Sequence, residues 1–187
     1  ALAGGAAPGE LVIVGARPSI GKSALAINWA WHAAAVGGNV VVFSLEMTRK
    51  QVFDRIAAKL SQVDLRQFRG RMCPETLARA RAAQKSMLGR RIYVDERGML
   101  RPAEIRRVCR ARAKIAPLSL VVIDYLQLVT PDNPSGSREQ DVSGISRHCK
   151  LLAKDLNVPV VLLSQLNREC EKHGREPILA DLRESGA

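Results

Sequence analysis

Five short apolar runs divide the chain, and the stretches between them carry helical periodicity; no other feature restricts the fold as much. The runs are LVIV at 11–14, VVVFSL at 40–45, IYV at 92–94, LVVIDY at 120–125 and VPVVLLS at 158–164. Most are continuously apolar and rich in Val and Ile, the pattern of strands buried on both faces. Helical patterns fill 22–35, 48–61, 74–87, 102–114 and 138–156. Alternation of this kind predicts an α/β fold, a mostly parallel central sheet flanked by helices. Right-handed crossovers then bring the strand C-termini to one edge, where ligands bind in such folds.

Local signals agree with that frame. Thr48 precedes RKQVFDRIAAKL with Gln51 three residues on, a capping-box arrangement. Pro102 stands at the first position of its helix, where a missing N–H costs nothing. The stretch TPDNPSGSRE, 130–139, has the Pro, Ser, Gly and Asn content of a disordered loop. There is no internal repeat and no linker, so 187 residues read as one domain. With aromatics at 4%, aliphatic side chains must fill most of the core.

The other bulk properties limit the function classes. A formal charge of +11 favours polyanions such as nucleic acid, or else simply solubilises the surface. Cys73, Cys109, Cys149 and Cys170 form no C-x-x-C pair, and His32, His148 and His173 supply no zinc spacing. The cysteines read as free thiols of a reducing compartment. No apolar run approaches the ~18 residues of a membrane span. The N-terminus lacks a signal-peptide layout, which together point to the cytoplasm and away from a membrane.

A loop follows the first strand: GARPSIGKSALAIN, 15–28. It ends in the Gly-Lys-Ser of a phosphate loop, but Ala16 stands where G-x-x-x-x-G-K-[ST] has its first glycine. Backbone N–H groups at the helix start near Gly21 would attract phosphate. Lys22 would reach the β- and γ-phosphates, and the Ser23 hydroxyl would ligate Mg²⁺. Arg17, Pro18, Ser19, Ile20 and Ala24 complete the candidate nucleotide-binding segment. Arg17 points at phosphate, at a neighbouring subunit or at solvent.

A chance Gly-Lys-Ser would have no partners; this one has three. Asp124 follows four apolar residues in LVVIDYLQL, either opening a turn or serving as a carboxylate that organises Mg²⁺, directly or through water. Glu46 follows VVVFSL, either as a surface glutamate before a helix or as the base that polarises the attacking water. Gln165 ends the last apolar run, and a neutral amide there could sense the γ-phosphate without repelling it. Lys22, Glu46 and Gln165 are therefore the candidate catalytic residues.

With these segments in order, the chain resembles the C-terminal, RecA-like motor domain of the DnaB family of replicative hexameric helicases. ARPSIGKSALAIN looks like the family's phosphate loop, FSLEM its catalytic-glutamate motif, and VVIDYLQL its Walker B strand. REQDVSGISRHCKLLAKDLNVPVVLLSQLNR resembles the helix and sensor strand that follow, and LADLRESGA the closing signature. The resemblance implies an ATP-dependent DNA helicase using ATP and Mg²⁺, with single-stranded DNA, a homo-hexameric ring, a primase and a helicase loader as partners. It implies that Arg183, Glu184 and Gly186 follow the DNA backbone and that 130–139 is a second channel-facing loop. It places the sensor strand between the phosphate-loop and Walker B strands, with the Glu46 strand on the far side. The family's collar domain, linker helix and arginine finger have no counterpart within 1–187. The expectation is a single domain truncated at both ends, able to bind nucleotide and weak in hydrolysis.

Two other classes share the loop. A RecA-like recombinase or recombination mediator is the closer alternative, though DLRESGA and DYLQL favour the helicase. A small-molecule kinase would need an acceptor pocket and a lid, for which there is no candidate. The basic helix at 101–114 is most simply a solvated face, since Ile105, Val108 and Cys109 share one side; direct DNA contact is the alternative. Trp29 and Trp31 read as packing residues.

Overall fold

The computed structural model describes residues 5–68, 70, 72–132 and 136–166. Five strands form one sheet: β1 (Leu11–Ala16), β2 (Asn39–Ser44), β3 (Arg91–Asp95), β4 (Leu118–Asp124) and β5 (Val160–Gln165). Six helices connect them: α1 (Lys22–Ala35), α2 (Arg49–Ser61), α3 (Leu65–Phe68), α4 (Pro74–Met87), α5 (Pro102–Ile115) and α6 (Arg138–Leu156). The strand order is β1-β5-β4-β2-β3 and every pairing is parallel. β5 thus lies between the phosphate-loop strand and the Asp124 strand, with the Glu46 strand beyond, as the resemblance implies.

Alternate residues of the central strands feed two separate cores. Val41, Phe43, Val121, Ile123, Val160 and Leu162 face α5 and α6, meeting Ile105, Cys109, Ile145 and Leu152. Val40, Val42, Val122, Val161 and Leu163 face α1 and α2, meeting Ala26, Ala30, Ala34, Val52 and Ile56. The alanines of α1 let that helix lie close on the sheet under the phosphate loop. Trp31 is buried in the same core and Trp29 packs against it, as expected of packing residues. Cys73, Cys109 and Cys149 are free thiols; burial pushes Cys109 and Cys149 up to about 12, so both act as small apolar side chains.

Several boundaries differ from expectation, each where periodicity carries no information. β1 runs on to Ala16, β2 stops at Ser44, β4 stops at Asp124 and β5 starts at Val160. Tyr125 leaves the strand because the chain turns into a single 3-10 turn, Leu126–Leu128. That turn and α3 are too short to show a repeat. The start of the loop read as disordered is tied to the fold, since Thr130 N–H donates to the Leu100 carbonyl at 3.0 Å, and α6 begins at Arg138, as the helical pattern at 138–156 predicts. Residues 133–135 lie outside the described residues. No described helix is long and apolar enough to cross a membrane.

Three of the six basic side chains at 101–114 have partners on other elements among the described residues. Arg106 and Arg110 share Asp155 on α6 at 2.6 and 3.7 Å, and the Arg112 guanidinium stacks 3.6 Å from the Tyr93 ring. Ile105 and Cys109 are buried and Val108 packs against the same core, leaving the remainder as the solvated face read from the sequence.

Candidate functional site

The parallel sheet delivers four chain segments to its carboxyl edge. β1 leads into the phosphate loop, β2 into the turn that carries Glu46, β4 ends in Asp124 and β5 in Gln165. The ladder pairs Ala16 with Gln165 and Ser44 with Asp124, so neighbouring ends are level. Beyond the ladders, Leu166 N–H donates to the Ala16 carbonyl at 3.1 Å and Leu45 N–H to the Asp124 carbonyl at 2.8 Å.

Ala16 needs no glycine because it is the last residue of β1, in ordinary strand conformation and paired with Gln165. The left-handed positions come later, at Ser19 (φ 65°) and Gly21 (φ 105°). A Cβ on Gly21 would meet nothing within 4 Å, so the glycine serves its backbone conformation and not a steric need. Gly21 is the N-cap of α1, and no side chain caps that helix. The first-turn N–H groups are thus left for an outside acceptor, and Pro18, Ser19, Ile20 and Gly21 are exposed around them. Arg17 does not follow the loop outward: its Nη1 reaches the Leu166 carbonyl at 3.5 Å, across the end of β5.

Below the loop, charges gather in a partly dry space. Asp124 is 4% exposed. Burial is the main influence on it and raises its carboxyl above the usual range, against the hydrogen bond from Ser23 and the charges of Lys22 and Arg55. Its Oδ1 is buried with no hydrogen-bond partner among the described residues. Burial likewise lowers Lys22, partly offset by the negative charges of Asp124 and Glu46. The Lys22 ammonium also lies 4.5 Å from the centre of the Tyr125 ring. An orphaned buried carboxylate oxygen beside a serine hydroxyl fits Mg²⁺, which takes few protein oxygens and leaves its other positions to water and phosphate.

Glu46 is exposed and near enough for its charge to act on Lys22 and Asp124. Ser44 Oγ donates to the Met47 carbonyl at 2.7 Å, closing the turn on which Glu46 stands. The next residue, Thr48, caps α2 with Gln51 as its capping-box partner, as the sequence predicts. Glu96 adds a second anchor by accepting the Arg49 N–H at 2.6 Å. Gln165 is half-buried at the end of β5.

The structure therefore brings together Lys22, Ser23, Glu46, Asp124 and the end of β5. Arg183, Glu184 and Gly186 lie outside the described residues. Three neighbours escape sequence reasoning: Tyr125 beneath Lys22, Gln127 bonded to Gln165, and Arg55, whose charge acts on Asp124 from α2. Tyr125 and Gln127 stand inside the quoted DYLQL segment, but only pairing across the sheet gives them partners. Arg55 has a weaker signal, a helical charge three residues after the buried Val52.

Comparison with known proteins follows the same lines. The model of the DnaB-like helicase C-terminal domain matches residues 1–187. The chain is 40% identical over 182 residues to the replicative DNA helicase DnaB of Geobacillus stearothermophilus, covering 95% of this chain and 40% of that protein. It is 40% identical over 190 residues to the DnaB of Leifsonia xyli, covering 100% of this chain and 41% of that protein. Among solved structures, it superposes with a TM-score of 0.89 on a DnaB-like replicative helicase studied with its primase interactions, at 31% identity over 96% of this chain and 44% of that one. A second solved structure, an ATPase domain, gives 0.89 at 30% identity, over 96% of this chain and 66% of that one. The chain spans about two fifths of the length of the curated relatives it matches. Sheet order and structural likeness together make the core RecA-like. By motif order, fold and a family match over its whole length, the chain belongs to the family of DnaB-like helicase C-terminal domains.

Proposed function

We propose that this domain binds and hydrolyses ATP at the carboxyl edge of its sheet, and that the protein containing it is a replicative helicase. The observation that carries the reading is the orphaned Asp124 Oδ1 beside Ser23 and Lys22, under an uncapped helix start. The N–H groups at the start of α1 hold the phosphates, with Pro18, Ser19, Ile20, Gly21 and Ala24 shaping the loop and Arg17 fixing its base against β5. Lys22 bridges the β- and γ-phosphates. Ser23 and Asp124 hold Mg²⁺, which supplies charge neutralisation on the phosphate oxygens. Glu46 orients the attacking water and accepts its proton. Gln165 donates a hydrogen bond to the γ-phosphate and changes its contacts when that group leaves. Hydrolysis drives translocation on single-stranded DNA, held by Arg183, Glu184 and Gly186. The working form is a homo-hexameric ring in the cytoplasm of a bacterial or phage-infected cell, with a primase and a loader as partners. A neighbouring subunit's arginine and further domains complete the protein, so residues 1–187 alone hydrolyse ATP weakly. The family match favours this reading over a recombinase.

The test is steady-state ATP hydrolysis by the full-length protein with and without single-stranded DNA, beside Lys22→Ala. The expected result is a rate raised by DNA and lost in the variant, by about 10²-fold or more. A wild-type rate indifferent to DNA would sink the translocating motor.

A further inference from the structure

Gln127 occupies the 3-10 turn immediately after Asp124 and Tyr125, and its carboxamide faces the end of β5. Its Nε2 donates to Ser164 Oγ at 3.0 Å and to the Gln165 carbonyl at 3.1 Å, while its Oε1 accepts the Gln165 N–H at 3.2 Å. The β4–β5 ladder ends at the Ile123–Leu162 pair. Past that point the strands separate, and the side-chain amide supplies the donor and acceptor that a ladder peptide would have supplied. Ser164, fully buried, is held by the same group. Tyr125, just before the turn, also sets its ring against Lys22 at the start of α1.

We propose that Gln127 is a positioning residue that makes the end of β5 follow the turn after Asp124, coupling the phosphate state to Gln165. This rests on the reading above, in which Gln165 faces the γ-phosphate. Asp124, Tyr125 and Gln127 lie within four consecutive residues, so a shift at the metal or at Lys22 displaces the carboxamide directly. Both poles of that carboxamide are bonded to the backbone of one residue of β5, so the displacement passes to Gln165 through this side chain.

The experiment uses the full-length protein with Gln127→Ala and Gln127→Glu, each alone and combined with Gln165→Ala. Fluorescent-nucleotide affinity, melting temperature and ATP hydrolysis with and without an oligo-dT strand are measured. Gln127→Ala is expected to keep nucleotide affinity and the DNA-free rate within about 3-fold of wild type, and to lower the DNA-stimulated kcat by about 10-fold or more. In the Gln165→Ala background the same change should cost less than about 2-fold, because the two residues act as one unit. Gln127→Glu retains the acceptor for the Gln165 N–H but sets a carboxylate oxygen against the Gln165 carbonyl. Its stimulated rate, relative to wild type at each pH, should therefore recover as pH falls and the carboxyl regains a donor proton. Equal loss of stimulated and unstimulated rates, additive effects of the pair, or a Glu variant without pH recovery would each overturn the inference. If the Ala variant fails to fold, the Glu variant decides. A wild-type enzyme indifferent to DNA would remove the helicase reading and this inference with it; a stimulated wild type with an equally stimulated Gln127→Ala sinks the inference alone.

Discussion

Asp124 carries a carboxyl whose burial costs the folded chain stability. Its carboxyl is raised from the usual 3.8 chiefly by burial, and one oxygen has no partner among the described residues. Between 3.8 and the raised folded value the native form keeps a proton that the unfolded chain has lost. Stability therefore falls as pH rises through that window, and the cost persists above it. Asp124→Asn removes the charge while keeping an acceptor for Ser23. In the nucleotide-free protein at pH 7 it should melt higher, by about 2–4 °C for each kcal/mol relieved, while hydrolysis falls by about two orders of magnitude or more. Calorimetry and a phosphate-release assay check the two halves; a variant that melts no higher would mean that Asp124 is already compensated in solution. The gathering of these side chains was largely legible in the sequence: Glu46, Asp124 and Gln165 stand at or just past the ends of apolar runs, and Lys22 and Ser23 belong to the Gly-Lys-Ser after the first run. Tyr125, Gln127 and Arg55 were not, because their roles come from partners on other elements and no spacing along the chain encodes those.

At the scale of elements, α1, α4 and α6 have the bounds read from periodicity, and the capping box at Thr48 and the proline at position 102 fall where their chemistry demands. What periodicity missed are the short pieces, α3 and the turn at Leu126–Leu128, and the ends of strands. An apolar residue such as Tyr125 or Leu45 looks alike whether it extends a strand or begins a turn. The connection from α1 to β2 shows a constraint of another kind. A Cβ on Gly38 would lie 2.5 Å from the Ala33 carbonyl oxygen and 2.9 Å from Ser119 Cβ. Gly38→Ala must therefore push the end of α1 away from the start of β4, and should cost about 1–3 kcal/mol in urea unfolding. Because α1 carries the phosphate loop at its other end, nucleotide affinity should weaken too; an unchanged denaturation midpoint would show that the turn yields freely.

Over the whole molecule, charge and fold have separate tasks. The chain carries a net charge of +11, while the carboxyl edge of the sheet gathers Glu46 and Asp124 beside Lys22, Arg17 and Arg55. If single-stranded DNA is the track, its affinity should depend on phosphate contacts and hence on salt, with log affinity falling by about 0.7 per contact for each decade of salt. Arg183→Ala in the full-length protein should reduce that slope by roughly one contact and leave nucleotide affinity intact. Anisotropy titrations with oligo-dT across a salt series measure it; loss of nucleotide binding in the same variant would place Arg183 in the ATP site instead.

The order of strands in the sheet differs from the order in which the ribosome makes them. Within the described sheet β1 comes first in chain order, yet its one neighbour there is β5, which comes last. Among the described strands, β1 has no ladder partner until Val160–Gln165 has left the ribosome, and Gln127 gains its bonds to Ser164 and Gln165 at the same moment. Non-local pairing of this kind forms late. A nascent chain lacking β5 therefore holds every residue of the 15–28 segment without the strand that fixes its base, and on the proposed reading nucleotide capture would report that the sheet has closed.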